Sequence, residues 1–104
     1  MDTNLIYITA GTMDEAKAIG KELVSSRLAA CANIIDNMSS IYWWEGDVQD
    51  EKEVIILAKT KESLVPELID KVKSLHSYEC PCIISVPIID GNRAFLDWIR
   101  EETK

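Results

Sequence analysis

The sequence predicts an α+β fold in which strands and helices follow the order βαββαβ, with a short C-terminal helix after the last strand. Three observations lead to it. Apolar periodicity switches between strand and helix along the 104 residues, an acidic turn separates two long β-rich runs, and no repeat or linker divides the chain. Two split βαβ units in this order form a ferredoxin-like sandwich, with helices covering one face of an antiparallel sheet. We therefore expect a single domain over residues 1–104.

The first strand and helix are predicted from residues 4–27. Residues 4–9 (NLIYIT) form a short β-rich run. Thr12 and Glu15 match a capping box, in which Thr12 accepts a hydrogen bond from a free backbone N–H and Glu15 reaches back. The apolar stripe of an amphipathic helix then extends to about Arg27 and consists of Ala16, Ile19, Leu23 and Val24.

A long hairpin between the second and third strands is predicted next. Residues 30–44 form one strand, Glu45-Gly46-Asp47 supplies the turn, and residues 48–60 return. A strand of about 15 residues spans roughly 50 Å. A domain of this size has a radius of gyration of about 13 Å, so the hairpin must bend or project beyond its own domain.

The aromatic residues of this hairpin indicate an oligomer. Tyr42, Trp43 and Trp44 are consecutive, so they cannot all face the helices, unless a bulge turns both tryptophans to one side. The unbroken apolar run 54–58 likewise indicates cover on both faces. We expect a homo-oligomer built by extension of the sheet, because the apolar surface would otherwise be exposed.

The last third of the chain is predicted to contain a helix, a strand and a second helix. The first of these helices carries Leu64, Leu68, Val72 and Leu75, with Thr60 or Ser63 as its cap. The segment LHSYECPC, residues 75–82, connects it to a strand over residues 82–89. Asn92 then caps a short helix whose apolar residues are Phe95, Leu96, Trp98 and Ile99.

The charge balance excludes several classes of partner. The chain has 11 basic and 18 acidic side chains and a formal charge of −7, which argues against nucleic acid and anionic membranes as partners. No targeting or membrane segment is apparent. Three cysteines are an odd number without the density of a disulfide scaffold, so we expect free thiols and a cytoplasmic location.

The candidate metal ligands are His76, Cys80 and Cys82. In an extended segment the two thiols point to the same side, and thiolates suit Cu(I) or part of a zinc site. His76 can add an imidazole. The alternatives are that Cys82 begins a buried strand as a small hydrophobic residue and that His76 caps a helix end.

Nothing in the sequence predicts an enzyme. No motif of a serine hydrolase, a zinc protease or a P-loop is present. Cys31 lies in an apolar run, where packing is its expected role. A hydrolase dyad of Cys31 with His76 is the remaining catalytic alternative.

Four segments resemble the CutA family, the divalent-cation tolerance proteins. They are residues 27–33 (RLAACAN), 40–46 (SIYWWEG), 75–81 (LHSYECP) and 95–99 (FLDWI). The resemblance implies a ferredoxin-like fold and a homotrimer in which long hairpins extend neighbouring sheets, similar to the PII signalling proteins. It also implies a role in tolerance of copper or other divalent cations, proposed metal binding and no established catalytic reaction.

The resemblance carries over to particular residues only in part. The family commonly reads His-Pro-Tyr-Glu-x-Pro-Glu, so His76 matches a proposed copper ligand, whereas Ser77 replaces a proline and Cys82 replaces a glutamate. In the implied trimer, candidate residues for a cleft between subunits are Trp43, Trp44, Glu45, Tyr78 and Glu79. Alternatively, Tyr78 and Glu79 join the hydrogen-bond network of the trimer.

Overall fold

A computed structural model describes residues 2–104 and confirms the predicted α+β architecture. One antiparallel sheet has the strand order β2-β3-β1-β4, the arrangement of a ferredoxin-like sandwich. A 3₁₀ turn, Glu62–Leu64, precedes the second helix. The elements are β1 (Thr3–Ala10), α1 (Met13–Ser25), β2 (Cys31–Trp44), β3 (Asp47–Lys61), α2 (Val65–Leu75), β4 (Ile83–Pro87) and α3 (Arg93–Glu102).

The core lies between one face of the sheet and the helices α1 and α2. Alternate residues of β1 and β3 point to this face, which is why Ile6, Ile8, Ile56 and Ala58 are fully buried. The helices contribute residues at helical spacing, namely Ala16, Ile19, Leu23, Leu68 and Val72. This confirms the predicted stripes except at Val24 and Leu75, which are exposed.

Helix α1 begins at the predicted cap and ends slightly earlier than predicted. Thr12 Oγ1 accepts from the N–H of Glu15 at 3.1 Å. Glu15 reaches back to the N–H of Gly11 instead of that of the cap residue. The predicted end at Arg27 is wrong by two residues because Arg27 has φ 60°, a left-handed conformation that stops the helix.

Neither predicted cap of α2 is correct. The helix has no side-chain cap, and Pro66 near its start lacks the N–H that would need one. The fully buried Thr60 instead donates its hydroxyl hydrogen to the carbonyl oxygen of Leu28, at 2.6 Å. That bond ties β3 to the loop between α1 and β2.

The last strand is shorter than predicted, and the last helix begins as predicted. Pro87 ends β4 because it has no N–H for the ladder. The backbone continues alongside β1 beyond this point, where the N–H of Ile88 donates to the carbonyl of Thr3. Asn92 Oδ1 accepts from the N–H of Ala94 at 3.1 Å, which confirms it as the cap of α3.

The hairpin of β2 and β3 extends past the rest of the sheet. Pairing of β1 with β3 ends at Val54, whereas pairing of β2 with β3 continues to Trp44 and Asp47. The longest dimension of the molecule is 44 Å, against 25 and 22 Å in the other directions. The predicted projection is therefore present in the single chain.

A bulge interrupts the hairpin, but not at the tryptophans. The register shifts between Ile35 and Met38, where Asn37 has φ 65°. Trp43 and Trp44 pair in regular register and are 74% and 47% exposed. The alternative in which a bulge turns both to one side is therefore wrong, and large apolar side chains lie uncovered near the tip.

Two residues with positive φ close the hairpin. Glu45 has φ 51° and Gly46 has φ 84°, the pattern of a type I′ turn, which matches the twist of the flanking strands. Among the residues that the structure describes, no helix is both long enough and apolar enough to cross a membrane.

We predict that Gly46→Ala destabilises the protein by about 1 kcal/mol, because a Cβ is disfavoured at this positive φ although the space around it is open. Thermal unfolding at one fixed protein concentration measures the loss. Gly91→Ala is the control, because its Cβ would make only ordinary contacts with Leu96, at 3.6 Å or more. Equal destabilisation by the two changes would contradict the assignment of strain to the turn.

Candidate functional site

A cleft of about 730 Å³ opens where the hairpin leaves the rest of the sheet. The hairpin, the central strand β1 and the loop between α2 and β4 form its walls. The lining residues are Tyr7, Thr9, Met38, Ser39, Ser40, Ile41, Tyr42, Trp44, Gln49, Glu51, Glu53, Tyr78, Glu79, Cys80 and Cys82. Its volume lies in the range of small-molecule sites.

Two tyrosine–glutamate pairs lie in the cleft. Tyr78 donates to Glu53 Oε2 at 3.1 Å, and Tyr42 donates to Glu51 Oε2 at 3.2 Å. Burial and then the Glu53 carboxylate raise the pKa of Tyr78 to about 12. Partial burial and Glu51 also raise the pKa of Tyr42, so both phenols stay protonated and act as donors.

Three sulfur atoms line the same cleft. Cys80 is exposed, Cys82 is half-buried, and Met38 Sδ accepts a long hydrogen bond from the Tyr7 hydroxyl at 3.5 Å. Burial and then Glu53 raise the pKa of Cys82, although a hydrogen bond with Thr9 works in the opposite direction. The Cys82 thiol is therefore protonated at neutral pH, and a metal ion would have to displace its proton.

The side chain of His76 is fully buried and does not line the cleft. Its Nε2 lies 2.7 Å from the carbonyl oxygen of Thr9, and its Nδ1 accepts from the N–H of Tyr78 at 3.0 Å. A neutral ring with hydrogen on Nε2 satisfies both contacts. Both nitrogens are therefore engaged by backbone groups, and the ring fixes the loop that carries Tyr78.

Glu15 holds the next residue of this loop. Its Oε2 accepts from the N–H of Ser77 at 2.7 Å, and its Oε1 accepts from the N–H of Gly11 at 3.3 Å. Partial burial tends to raise the pKa of Glu15, but hydrogen bonding by the Ser77 side chain and by these two N–H groups outweighs it and holds the pKa below its usual range. The start of α1 is thereby joined to the end of α2.

The structure brings some of the predicted site residues together in the cleft and places the others outside it. The cleft brings together Trp44, Tyr78, Glu79, Cys80 and Cys82, whereas Trp43, Glu45 and His76 do not line it. Residues 2–104 contain no group of three or more histidine, cysteine, aspartate or glutamate side chains arranged to hold a metal ion. His76 and the two thiols thus do not converge within one chain.

Sequence reasoning did not place five lining residues that carry chemistry in a common site. They are Tyr7, Met38, Tyr42, Glu51 and Glu53. All five are on β1, β2 or β3, and their meeting with residues 78–82 depends on strand pairing. One signal was available for the glutamates, because acidic residues at alternate positions of a strand point to the same face.

Comparison with known proteins gives a consistent result. The family described as "CutA1 divalent ion tolerance protein" matches residues 4–102. The divalent-cation tolerance protein CutA of Thermus thermophilus is 44% identical over 99 residues, which covers 95% of this chain and 96% of that protein. Human protein CutA is 41% identical over 98 residues, and the match covers 94% of this chain but 55% of the human protein.

Solved structures agree with the sequence relatives. The structure of the divalent cation tolerance protein from Thermus thermophilus superposes with a TM-score of 0.95 at 43% identity, covering 98% of this chain and 99% of that one. The match covers nearly the whole of both chains. The same Thermus thermophilus protein therefore supports both the fold and the family.

We predict that alkaline titration of the tyrosines, followed by phenolate absorbance, places all three above the ordinary pKa of about 10. Tyr78→Phe should remove the step near pH 12. Because the pKa of Tyr78 is raised in the folded state, its contribution to stability is present below pH 10 and is lost as the pH rises towards 12. Stability of the Tyr78→Phe variant should therefore fall less steeply in that interval. A step near pH 12 that persists in the variant would refute the assignment.

Proposed function

This chain belongs to the CutA1 divalent ion tolerance family, and on that premise we propose that it is a cytoplasmic homotrimer that binds copper or another divalent cation and catalyses no reaction. Residues 1–104 act as one domain in this proposal. The observation that carries it is the set of sulfur atoms in the cleft, because family membership supports a relation to metal ions without naming a site.

The donor set of the cleft fits a soft cation. Thiolate and thioether sulfurs favour Cu(I), and Cys80, Cys82 and Met38 all line one cavity. Cys80 is exposed and therefore accessible to a metal ion or a metal donor. We take Cys80 and Cys82 as the primary ligands and Met38 as the nearest further sulfur.

His76 has a different part in this proposal. Its ring nitrogens hold Thr9 and Tyr78, so direct ligation would break two hydrogen bonds to backbone groups. We therefore propose that His76 positions the loop that precedes the two cysteines. A copper ion bound by His76 itself is the alternative that the experiment below distinguishes.

The trimer is supported by the unpaired end of the hairpin. Ile41, Trp43 and Val48 are 71%, 74% and 56% exposed at a place where β2 and β3 have no third strand. Two strands alone are marginally stable in water, so this end favours pairing with the sheet of another copy. The cleft would then lie between subunits.

A PII-like signalling or scaffold trimer is the second candidate. Its specific support is the cleft itself, which is large enough for a small organic molecule and has aromatic walls. In that case the bound molecule or a partner protein, and not a metal ion, would be the physiological signal.

We predict that light scattering gives three times the 11.7 kDa mass of one chain. Trp43→Glu should lower the mass at micromolar concentration, because it places a charge in the apolar contact. Val24→Glu is the control, since Val24 is a half-exposed apolar residue of α1 and lies outside the unpaired end of the hairpin. A wild-type mass of one chain at that concentration would eliminate the trimer.

We predict that the reduced protein binds Cu(I) and that the double change Cys80→Ser and Cys82→Ser weakens binding at least about tenfold, measured by competition with a Cu(I) chelator. Affinity should rise with pH, because the raised pKa of Cys82 means that copper displaces a proton.

Two variants complete this test. Cys31→Ser is the matched control, because Cys31 does not line the cleft. His76→Ala should lower thermal stability more than copper affinity. Binding that is unaffected by the double cysteine change would defeat the proposed ligands, and loss of copper in a folded His76→Ala variant would establish His76 as a ligand.

A further inference from the structure

Cys80 and Cys82 are two thiols that only Pro81 separates in the chain. Both residues line the cleft, and all three cysteines of the protein are free. The third, Cys31, does not line the cleft and lies opposite Lys59 in the sheet. Residues 80 and 82 therefore form a thiol pair that the third cysteine does not share.

The backbone places the pair within the range of a disulfide. Proline holds its φ near about −65°, and an extended proline advances the chain by about 3.1 Å per residue. The Cα atoms of residues 80 and 82 are then roughly 6 Å apart, and disulfides join Cα atoms separated by about 4.4 to 6.8 Å. Rotation of the two side chains can thus bring the sulfur atoms together with little movement of the backbone.

The segment that carries the thiols is not fixed by the sheet. β4 begins at Ile83, and residues 80–82 belong to no helix or strand. The carbonyl oxygen of Cys82 accepts from the N–H of Thr9 at 3.4 Å, which is longer than most hydrogen bonds of this kind. The backbone can therefore make the small adjustment that ring closure requires.

The two thiols differ in exposure. Cys80 is exposed, whereas Cys82 is half-buried. Thiols that react with oxidants are accessible and often lie next to a second cysteine that resolves the first product. Hydrogen peroxide is close to water in size, so it can enter the cleft of the assembled protein and reach Cys80 first.

We propose that Cys80 and Cys82 form a reversible disulfide within one chain when the protein meets hydrogen peroxide. The Cys80 sulfur attacks one peroxide oxygen, the O–O bond breaks, water leaves, and Cys80 becomes a sulfenic acid. The Cys82 sulfur then attacks the Cys80 sulfur, and the S–O bond breaks. The hydroxyl group leaves with the Cys82 proton as a second water, so two thiols are oxidised and one peroxide is reduced.

Oxidation would remove both primary ligands from the copper site. A disulfide carries no thiolate, so the oxidised cleft should bind Cu(I) weakly. A dithiol reductant should restore the thiols, because exposed and strained disulfides are the readily reduced ones. This effect on copper rests on the ligands proposed above, whereas formation of the disulfide does not depend on them.

Treatment of the reduced, metal-free protein with hydrogen peroxide, in its native assembly, tests the proposal. Free thiols should fall from three per chain to one. Mass spectrometry should show the loss of two hydrogen atoms from the peptide that contains residues 80 and 82, and dithiothreitol should reverse it. Cu(I) affinity should fall at least about tenfold on oxidation and recover on reduction.

Single substitutions separate the roles of the two thiols. Cys82→Ser removes the resolving thiol, so a sulfenic acid should persist on Cys80 and be trapped by dimedone. Cys80→Ser should keep its two remaining thiols at the peroxide dose that oxidises the wild type. Cys31→Ser is the matched control, and it should form the disulfide as the wild type does.

Three outcomes would overturn the proposal. They are three free thiols remaining in the treated wild type, a disulfide that joins two chains in non-reducing electrophoresis, and failure of Cys31→Ser to form the disulfide. The copper measurement decides a separate question. Absence of Cu(I) binding by the reduced protein would defeat the copper proposal, and the thiol count would still test the disulfide.

Discussion

The unequal pairing of β3 is the constraint on which the rest of the structure depends. Its C-terminal half has a strand on each side, with β1 along Val54 to Lys61 and β2 opposite. Its N-terminal half pairs only with β2. The C-terminal half can be buried beneath helices. The N-terminal half must be covered by something other than its own sheet, or it remains exposed. Core, hairpin and cleft all follow from this difference.

The cleft forms at the boundary between these halves. Glu53 is the residue of β3 immediately before β1 pairing ends at Val54, and there it meets Tyr78. The buried part of β3 thus extends one residue beyond the apolar run 54–58 and includes the carboxylate of Glu53. Burial is the larger cause of the raised pKa of Tyr78 and of Cys82, and the negative charge of Glu53 raises both further, so one residue influences both the phenol and the thiol of the site.

The sequence was sufficient to predict the features that depend only on residues close together in the chain. Thr12 and Asn92 cap helices because their side chains reach N–H groups two or three residues away. Glu45 and Gly46 identify the hairpin turn for a similarly local reason. The apolar stripes predicted the core because periodicity depends only on the geometry of the element itself.

Features that depend on contacts between residues far apart in sequence could not be predicted from local patterns. Thr60 looks like a helix cap, yet its hydroxyl bonds Leu28, which is 32 residues away. His76 and the cysteines are close in sequence, but the backbone groups of Thr9 and Tyr78 engage the ring and separate it from the thiols. The cleft itself unites residues of three strands and a loop, and only their pairing register brings Glu53 to Tyr78.

Ser77 lies just after the end of α2, and its N–H donates to Glu15 Oε2 at 2.7 Å. Proline has no N–H, so it could not make this bond; it would restrict the loop through its own ring instead. With serine at this position, the loop is held by a reversible hydrogen bond between residues 62 positions apart in sequence. The order of the loop that presents Tyr78 and the two cysteines has thereby become a property of the whole fold, and it is shared with the first turn of α1.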